Sequence, residues 1–246
     1  QHFGRAAEAC GVTQPSLSGA IKQLEDQLGV MLVWRGSRFQ GLTPEGQRVL
    51  EWARQIVGDA RTMREEMRAA KQGLSGNLRL GVVPTALPME AQLTGPFIAR
   101  HPGVQIEILS RSSIEILQQI DDLRLDAGIS YLDNEPLGRV VTEALYTERY
   151  LLLAASTHPC ARQPALAWAD LDGLPLCLLT GDMQNRRIIN HELTQAGVPI
   201  APRIESNSMI ALVAHVLTGE WVSIVNADTA ALFAARSELC AIPLAG

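Results

Sequence analysis

The sequence predicts a helical N-terminal segment built on a helix-turn-helix, then one long helix, then an α/β region in two units. Three observations predict this. Two short amphipathic stretches flank a Gly-containing turn before residue 30. A heptad-like apolar repeat runs from Val49 to Ala70. Beyond residue 76, strand-like apolar runs alternate with amphipathic helices.

Composition bounds the possibilities. The chain has 246 residues, 47% hydrophobic and 19% charged. That is ordinary globular composition with enough chain for a sizeable core, and it excludes disorder, collagen and a coiled-coil rod. No apolar run reaches the roughly 18 residues of a membrane-spanning helix. Cys10, Cys160, Cys177 and Cys240 are widely spaced and form no CxxC pair, which excludes a zinc ribbon or thioredoxin motif. Four small hydrophobes in a reducing cytoplasm is the plainer reading of these thiols. The net charge of −5 is uneven: residues 1–72 carry ten Lys/Arg and eight Asp/Glu, a balance of +2, while residues 73–246 carry eleven and eighteen, a balance of −7. A basic region accompanies nucleic-acid binding, and +2 alone is thin support for it.

Phe3, Ala6, Ala7 and Cys10 fall on one helical face, and Gly11 supplies a stop. Thr13 is a good N-cap and Pro15 suits the first turn of the next helix. That helix places Leu17, Ile21, Leu24 and Leu28 on one face, with Pro15, Ser18, Gly19 and Lys22 roughly opposite. Two short helices joined by such a turn form the helix-turn-helix plan, whose second helix enters the major groove by its N-terminal end. Gln14, Ser16 and Ser18 carry short polar groups able to meet base edges, and Lys22 can reach a phosphate. A generic helical hairpin is the alternative. The segment from Gly29 to Thr43 then reads as a strand, a tight turn and a second strand, with Arg35 and Arg38 flanking Gly36 and Ser37. A basic hairpin in this position is a wing that touches DNA backbone; a solvated loop is the alternative.

Thr43, Pro44 and Glu45 mark a strong helix start. In the helix that follows, Val49, Ile56, Met63 and Ala70 alternate with Ala53, Ala60 and Met67 as a heptad seam, about 33 Å long at 1.5 Å per residue. A lone helix cannot bury such a seam, so the segment predicts either self-association or packing within its own domain.

Residues 72–76 read as a hinge. Strands are expected near Leu78–Val82, at Val104–Leu109, around Gly128, at Tyr150–Ser156, Leu176–Thr180 and Val222–Asn226, with helices between them starting near Pro84, Ser112, Asn185 and Ser208. Ligands of open α/β sheets sit at strand C-termini beside helix starts. Thr85, Ser112, Ser113, Ser130, Ser206, Asn207 and Ser208 stand at those ends, and exposed N–H groups with the helix dipole favour a small anion there. Each alone is equally a helix cap; their recurrence at four strand ends carries the reading. In the polar loop from Asp182 to Arg187, Gln184 and Asn185 stand at a helix start, and Arg186 or Arg187 could add charge for a carboxylate.

With these elements in place, residues 3–46 resemble the winged helix-turn-helix of the LysR-type transcriptional regulators. The motifs are Phe3-Gly4-Arg5-Ala6-Ala7, the Thr13–Ser18 run TQPSLS, the Ile21–Val30 run IKQLEDQLGV, and Leu42-Thr43-Pro44-Glu45-Gly46. One departure stands out: the family often has Arg after the second Ser of TQPSLS, where this chain has Gly19. The family's first helix is expected before Gln1. The Gly81–Pro88 run GVVPTALP resembles the first strand of the family's effector domain, built like a periplasmic binding protein. The resemblance implies effector contacts at Thr85 and Ser113, with Ser206 and Asn207 in the second lobe. It also implies a further strand and helix beyond the C-terminal run LCAIPLAG.

The resemblance thus implies a winged helix-turn-helix over 1–43, a linker or dimerisation helix over 44–72, and an effector domain over 73–246. Lobe I would span about 77–146 and 226–246, and lobe II about 147–225. It implies double-stranded promoter DNA as partner, a small carboxylate or other anion as effector, and self-association as dimers and tetramers. RNA polymerase is a further candidate partner. A cytoplasmic, nucleoid-associated bacterial regulator with no cofactor, no metal and no membrane partner is expected. Catalysis is not expected: the sequence lacks GxGxxG after a strand, a P-loop and GxSxG, and its five histidines show no metal spacing. Two alternatives remain. A free solute-binding protein would explain residues 73–246 and not 1–72. A thiol redox sensor would fit the resemblance of residues 18–32 to the peroxide-sensing member of the family. That member's reactive cysteine would fall in the loop after Leu176–Thr180, and this chain has no cysteine there.

Overall fold

The computed structural model describes residues 3–34, 41–133, 140–234 and 238–245. The chain divides into two compact units, Gln1–Lys71 and Gln72–Gly246.

In the first unit, α1 (Phe3–Ala9) and α2 (Gln14–Leu28) flank the expected turn, and α3 (Pro44–Gln72) is the long helix. Thr13 caps α2, its hydroxyl accepting from the Ser16 amide at 3.3 Å, with Pro15 in the first turn. Gly29 ends α2 in the left-handed conformation that favours glycine. Val33 bridges Leu42 in antiparallel register, and Trp34 N donates to Gly41 O at 3.0 Å, so the base of the expected wing is present. Arg35 and Arg38 lie outside the described residues.

The buried face of α2 differs from its apolar spacing. Leu24 and Leu28 stay exposed, and the buried residue is Glu25. Its Oε1 accepts from the Leu32 amide at 2.8 Å and the Val33 amide at 3.2 Å. The carboxylate satisfies two otherwise orphaned donors at the start of the hairpin, which outweighs the apolar pattern. Gly46 completes this corner: a Cβ there would lie 1.9 Å from Leu32 O. The heptad seam of α3 stays open, with Ile56, Met63 and Met67 all about 60% exposed.

The second unit opens with β1 (Ser75–Val82), α4 (Leu87–Arg100), β2 (Gly103–Ser110), α5 (Ser113–Asp121) and β3 (Ala127–Ile129). These strands form a parallel sheet ordered β2-β1-β3. Ile116 of α5 packs with Leu80, Val82, Leu125 and Ile129 beneath it. Next come β4 (Tyr150–Ala155), β5 (Leu166–Ala167), β6 (Cys177–Leu179), α6 (Gln184–Gln195), β7 (Ile204–Ser206), α7 (Met209–Leu217), β8 (Ser223–Asn226), α8 (Ala227–Ala234) and β9 (Leu239–Ala245). A second sheet runs β5-β9-β4-β8, and a parallel bridge from Leu176 to Val222 joins it to the β6-β7 pair.

Side-chain alternation gives this second sheet two buried faces. Leu152, Leu178 and Ile224 pack against Ile189 and Leu193 of α6 on one side. Leu153, Leu179 and Val225 pack against Leu212, Val213 and Val216 of α7 on the other. Each fully buried aliphatic side chain contributes about 1.5–3 kcal/mol, which is why these strands read as continuous apolar runs.

One expected boundary is corrected. Residues 226–246 were assigned to the first lobe, but β9 pairs antiparallel with β4 from Leu239 opposite Ala155 to Pro243 opposite Leu151. Its buried Leu239 and Ile242 join the two cores of the second sheet. The helix α8 was not anticipated.

Candidate functional site

The tip of α2 gathers most of the residues singled out for DNA contact. Thr13, Gln14, Pro15, Ser16 and Lys22 are exposed and Ser18 is half-buried. Thr13 and Ser16 are linked hydroxyl to hydroxyl at 2.8 Å, so Thr13 spends its side chain on fixing the helix start. Gln14 stands in the first turn and Lys22 in the third, neither with a side-chain hydrogen bond among the described residues, on a helix whose free N-terminal N–H groups favour phosphate.

In the second unit, a small cavity of about 10 Å³, room for roughly one water, lies where the first sheet's C-terminal strand ends meet the start of α6. Its lining includes Thr85, Ser113, Tyr131, Met183, Gln184 and Asn185. Three of the expected effector residues, Thr85, Ser113 and Gln184, therefore meet at one place, each with at most 3% of its surface exposed. The others do not reach it. Ser130 is half-buried at the end of β3. Ser206 accepts from the Ser208 amide at 3.1 Å, Ser208 caps α7 by accepting from Ala211 N, and Asn207 is exposed. That turn uses its hydroxyls to start a helix. Ser112 is likewise a cap, forming a reciprocal capping box with Glu115.

One wall of the cavity is a hydrogen-bond network. Thr85 Oγ1 lies 2.8 Å from the Tyr131 hydroxyl, which donates to Glu148 Oε2 at 2.7 Å. The Tyr150 hydroxyl reaches the same oxygen at 3.3 Å and the Tyr146 hydroxyl reaches Oε1 at 3.5 Å. Asn226 Nδ2 donates to Glu148 Oε1 at 2.7 Å and to the Thr85 carbonyl at 2.9 Å. All three tyrosines of the chain thus converge on one carboxylate. Burial first, and the Glu148 charge second, push each of these phenols upward, so they serve as proton donors.

The other wall is the start of α6. Met183 offers no side-chain cap. Arg187 Nε donates to Gln184 Oε1 at 2.6 Å, and one of its terminal nitrogens donates to Ser113 Oγ at 3.5 Å. Gln184 Nε2 donates to the Asp133 carbonyl at 3.3 Å. Arg186 turns away: it is buried and donates to Asn190 Oδ1, the Leu179 carbonyl and the exposed Glu205 carboxylate, anchoring α6 to β6 and β7. Of the two arginines in that loop, Arg187 is the one placed at the cleft. The sequence reading missed Tyr131, Glu148 and Asn226. A signal was present: every tyrosine lies between residues 131 and 150.

Residues 71–246 match the family described as LysR substrate binding domain, and residues 1–47 match the bacterial regulatory helix-turn-helix protein, lysR family. The chain belongs to the LysR family. A hydrogen peroxide-inducible genes activator from Pectobacterium carotovorum is 29% identical to this LysR-family chain over 244 residues, covering 99% of it and 80% of the relative. The DNA-binding transcriptional dual regulator OxyR of Escherichia coli is 32% identical over 188 residues, covering 73% of the chain and 59% of that relative. A structure of full-length OxyR from Pseudomonas aeruginosa superposes with a TM-score of 0.76 at 28% identity, covering 100% of this chain and 80% of that one. The chain is a DNA-binding LysR-type transcriptional regulator with an N-terminal helix-turn-helix domain and an α/β substrate-binding domain. Among the described residues no helix is long and apolar enough to cross a membrane.

Proposed function

We propose that this regulator reads promoter DNA with the tip of α2 and senses a small anion in the cleft between Thr85 and α6. Gln14, Ser16 and Ser18 would meet base edges; Thr13 and Pro15 would hold the helix start; Lys22, Arg35 and Arg38 would meet phosphates. The exposed Ile56, Met63 and Met67 seam would pair two copies. RNA polymerase and a tetramer are further candidates, in a bacterial cytoplasm.

The observation that carries the sensing half is the donor set at one cavity: the uncapped start of α6 and Ser113, with Arg187 behind them bonded to Ser113 and Gln184. The ligand shifts DNA binding only by its differential affinity for two states of the protein. Thermal-shift screening of short-chain organic acids tests this. At least one acid is expected to raise the melting temperature, and Arg187→Ala is expected to remove that shift while DNA affinity holds. No shift with any acid would overturn it.

The names of the relatives favour a second reading, thiol-based peroxide sensing. The thiols argue against it. Burial pushes Cys177 up to about 11 and raises Cys160 and Cys240, whereas reactive thiols are lowered and accessible. Cys10 is exposed in the DNA-binding unit, and the loop from Gly181 to Arg187 holds no cysteine.

A further inference from the structure

The two walls of the cleft differ in the sense of their hydrogen bonds, and proton counting shows how. A carboxylate accepts only, and a phenol carries one hydrogen. Tyr131 spends its hydrogen on Glu148 Oε2 at 2.7 Å. The 2.8 Å link between Tyr131 and Thr85 therefore runs from Thr85 to Tyr131. Thr85 in turn has one hydrogen, now committed. Towards the cavity it presents lone pairs alone.

Neighbouring groups lock that direction. Asn226 Oδ1 accepts from the Thr229 amide at 3.1 Å, which orients its Nδ2 towards Glu148 Oε1 and the Thr85 carbonyl. Tyr150 donates to the same carboxylate oxygen as Tyr131. Glu148 is thereby surrounded by donors and leaves Tyr131 no way to reverse.

The opposite wall donates. The first N–H groups of α6 have no side-chain cap. Asn185 is 3% exposed and lines the cavity, with its side-chain amide turned towards the Tyr150 hydroxyl and no other partner for Nδ2 among the described residues. Ser113, fully buried, accepts from Arg187 and so keeps its own hydrogen free. A buried donor without a partner is destabilising, and an anion bound here would satisfy several at once.

We infer that the cleft selects an acid bearing a second, hydrogen-donating group, a hydroxy or amino acid. Its carboxylate sits on the α6 wall and its O–H or N–H points at Thr85. This rests on the reading of the cleft as an anion site. A carboxylate turned the other way would meet the lone pairs of Thr85, and a plain alkanoate would leave them unmatched. The selectivity comes from the Glu148–Tyr131–Thr85 relay, in which Thr85 and Tyr131 line the cavity and Glu148 stands behind them. Tyr131 is a positioning residue in this scheme: it sets the proton of Thr85.

Titration calorimetry on the full chain tests this, using matched sets of three- to six-carbon probes: each parent alkanoate, its hydroxy acids and its amino acids. At the best chain length, a hydroxy or amino acid is expected to bind about tenfold or more tighter than its parent. Tyr131→Phe frees the Thr85 proton and is expected to bring that ratio towards one. Thr85→Val should also lose the preference, whereas Thr85→Ser should keep it. A parent alkanoate that binds as tightly as every substituted form would overturn this inference and leave the anion reading standing. An unchanged ratio in Tyr131→Phe would also overturn it. No binding by any acid would overturn the anion reading and this inference with it.

Discussion

The tip of α2 and the cleft before α6 are both polar, and they are built in opposite ways. At the tip, Gln14 and Lys22 are exposed on a helix start fixed by one local cap, Thr13. In the cleft, Thr85, Ser113, Gln184 and Asn185 are almost wholly buried. Thr85 is bonded by Tyr131 and Asn226, Ser113 and Gln184 by Arg187, and Tyr131 in turn by Glu148, groups brought together from distant parts of the sequence. A surface that meets a charged, hydrated duplex keeps its side chains free to adapt. A site that discriminates among small molecules fixes its donors and acceptors beforehand, because unmatched buried polar groups carry the penalty that makes selection sharp.

The first way to break this comparison is to remove the support of the tip. A Cβ at Gly46 would collide with the Leu32 backbone at 1.9 Å, and overpacking of this kind costs about 1–3 kcal/mol or more. Gly46→Val is expected to destabilise the first unit and abolish DNA binding while anion binding by the second unit persists. Paired DNA-binding and calorimetric titrations check this; parallel loss of both activities would show that the two regions are not separable.

A smaller effect sharpens the contrast. Gln14→Ala removes an exposed side chain that makes no side-chain hydrogen bond among the described residues, so folding should be unchanged. Its loss is expected to weaken specific DNA binding by about 1–3 kcal/mol and to leave non-specific binding nearly intact. Competition between operator and scrambled duplexes reads the difference.

The smallest effect lies in the tyrosine network. A phenol whose folded pKa lies above its unfolded value of about 10 contributes stability that is complete below pH 10 and is lost as pH rises above it. Tyr131 and Tyr150 are both shifted that way, chiefly by burial and then by Glu148. Denaturant unfolding should therefore show the second unit losing stability above about pH 10, with a shallower loss in Tyr131→Phe.

The same contrast decides what was legible in the sequence. The helix-turn-helix could be read because caps, stops and apolar spacing are local: Thr13, Pro15 and Pro44 act within one turn of their own position. The alternating strands were legible because burial on both faces leaves continuous apolar runs such as Tyr150–Ala155. Glu25 was missed because its partners, Leu32 N and Val33 N, are backbone groups that no side-chain pattern reveals. The Glu148 network was missed because its members unite only when β3, β4 and β8 come together. Ser206 and Asn207 lie away from the cavity: the Ser206 hydroxyl accepts from the Ser208 amide ahead of the Ser208 cap, and Asn207 is exposed. The lobe boundary failed for a related reason: an apolar run such as Leu239–Leu244 specifies a strand and not its partner.

The central claim is that the α2 tip reads base sequence in duplex DNA. Its most direct test is the affinity of the full chain for a duplex obtained by selection from a random pool, measured against a scrambled duplex at physiological salt. At least about a thousandfold preference for the selected duplex is expected. Equal affinity for both duplexes would contradict it.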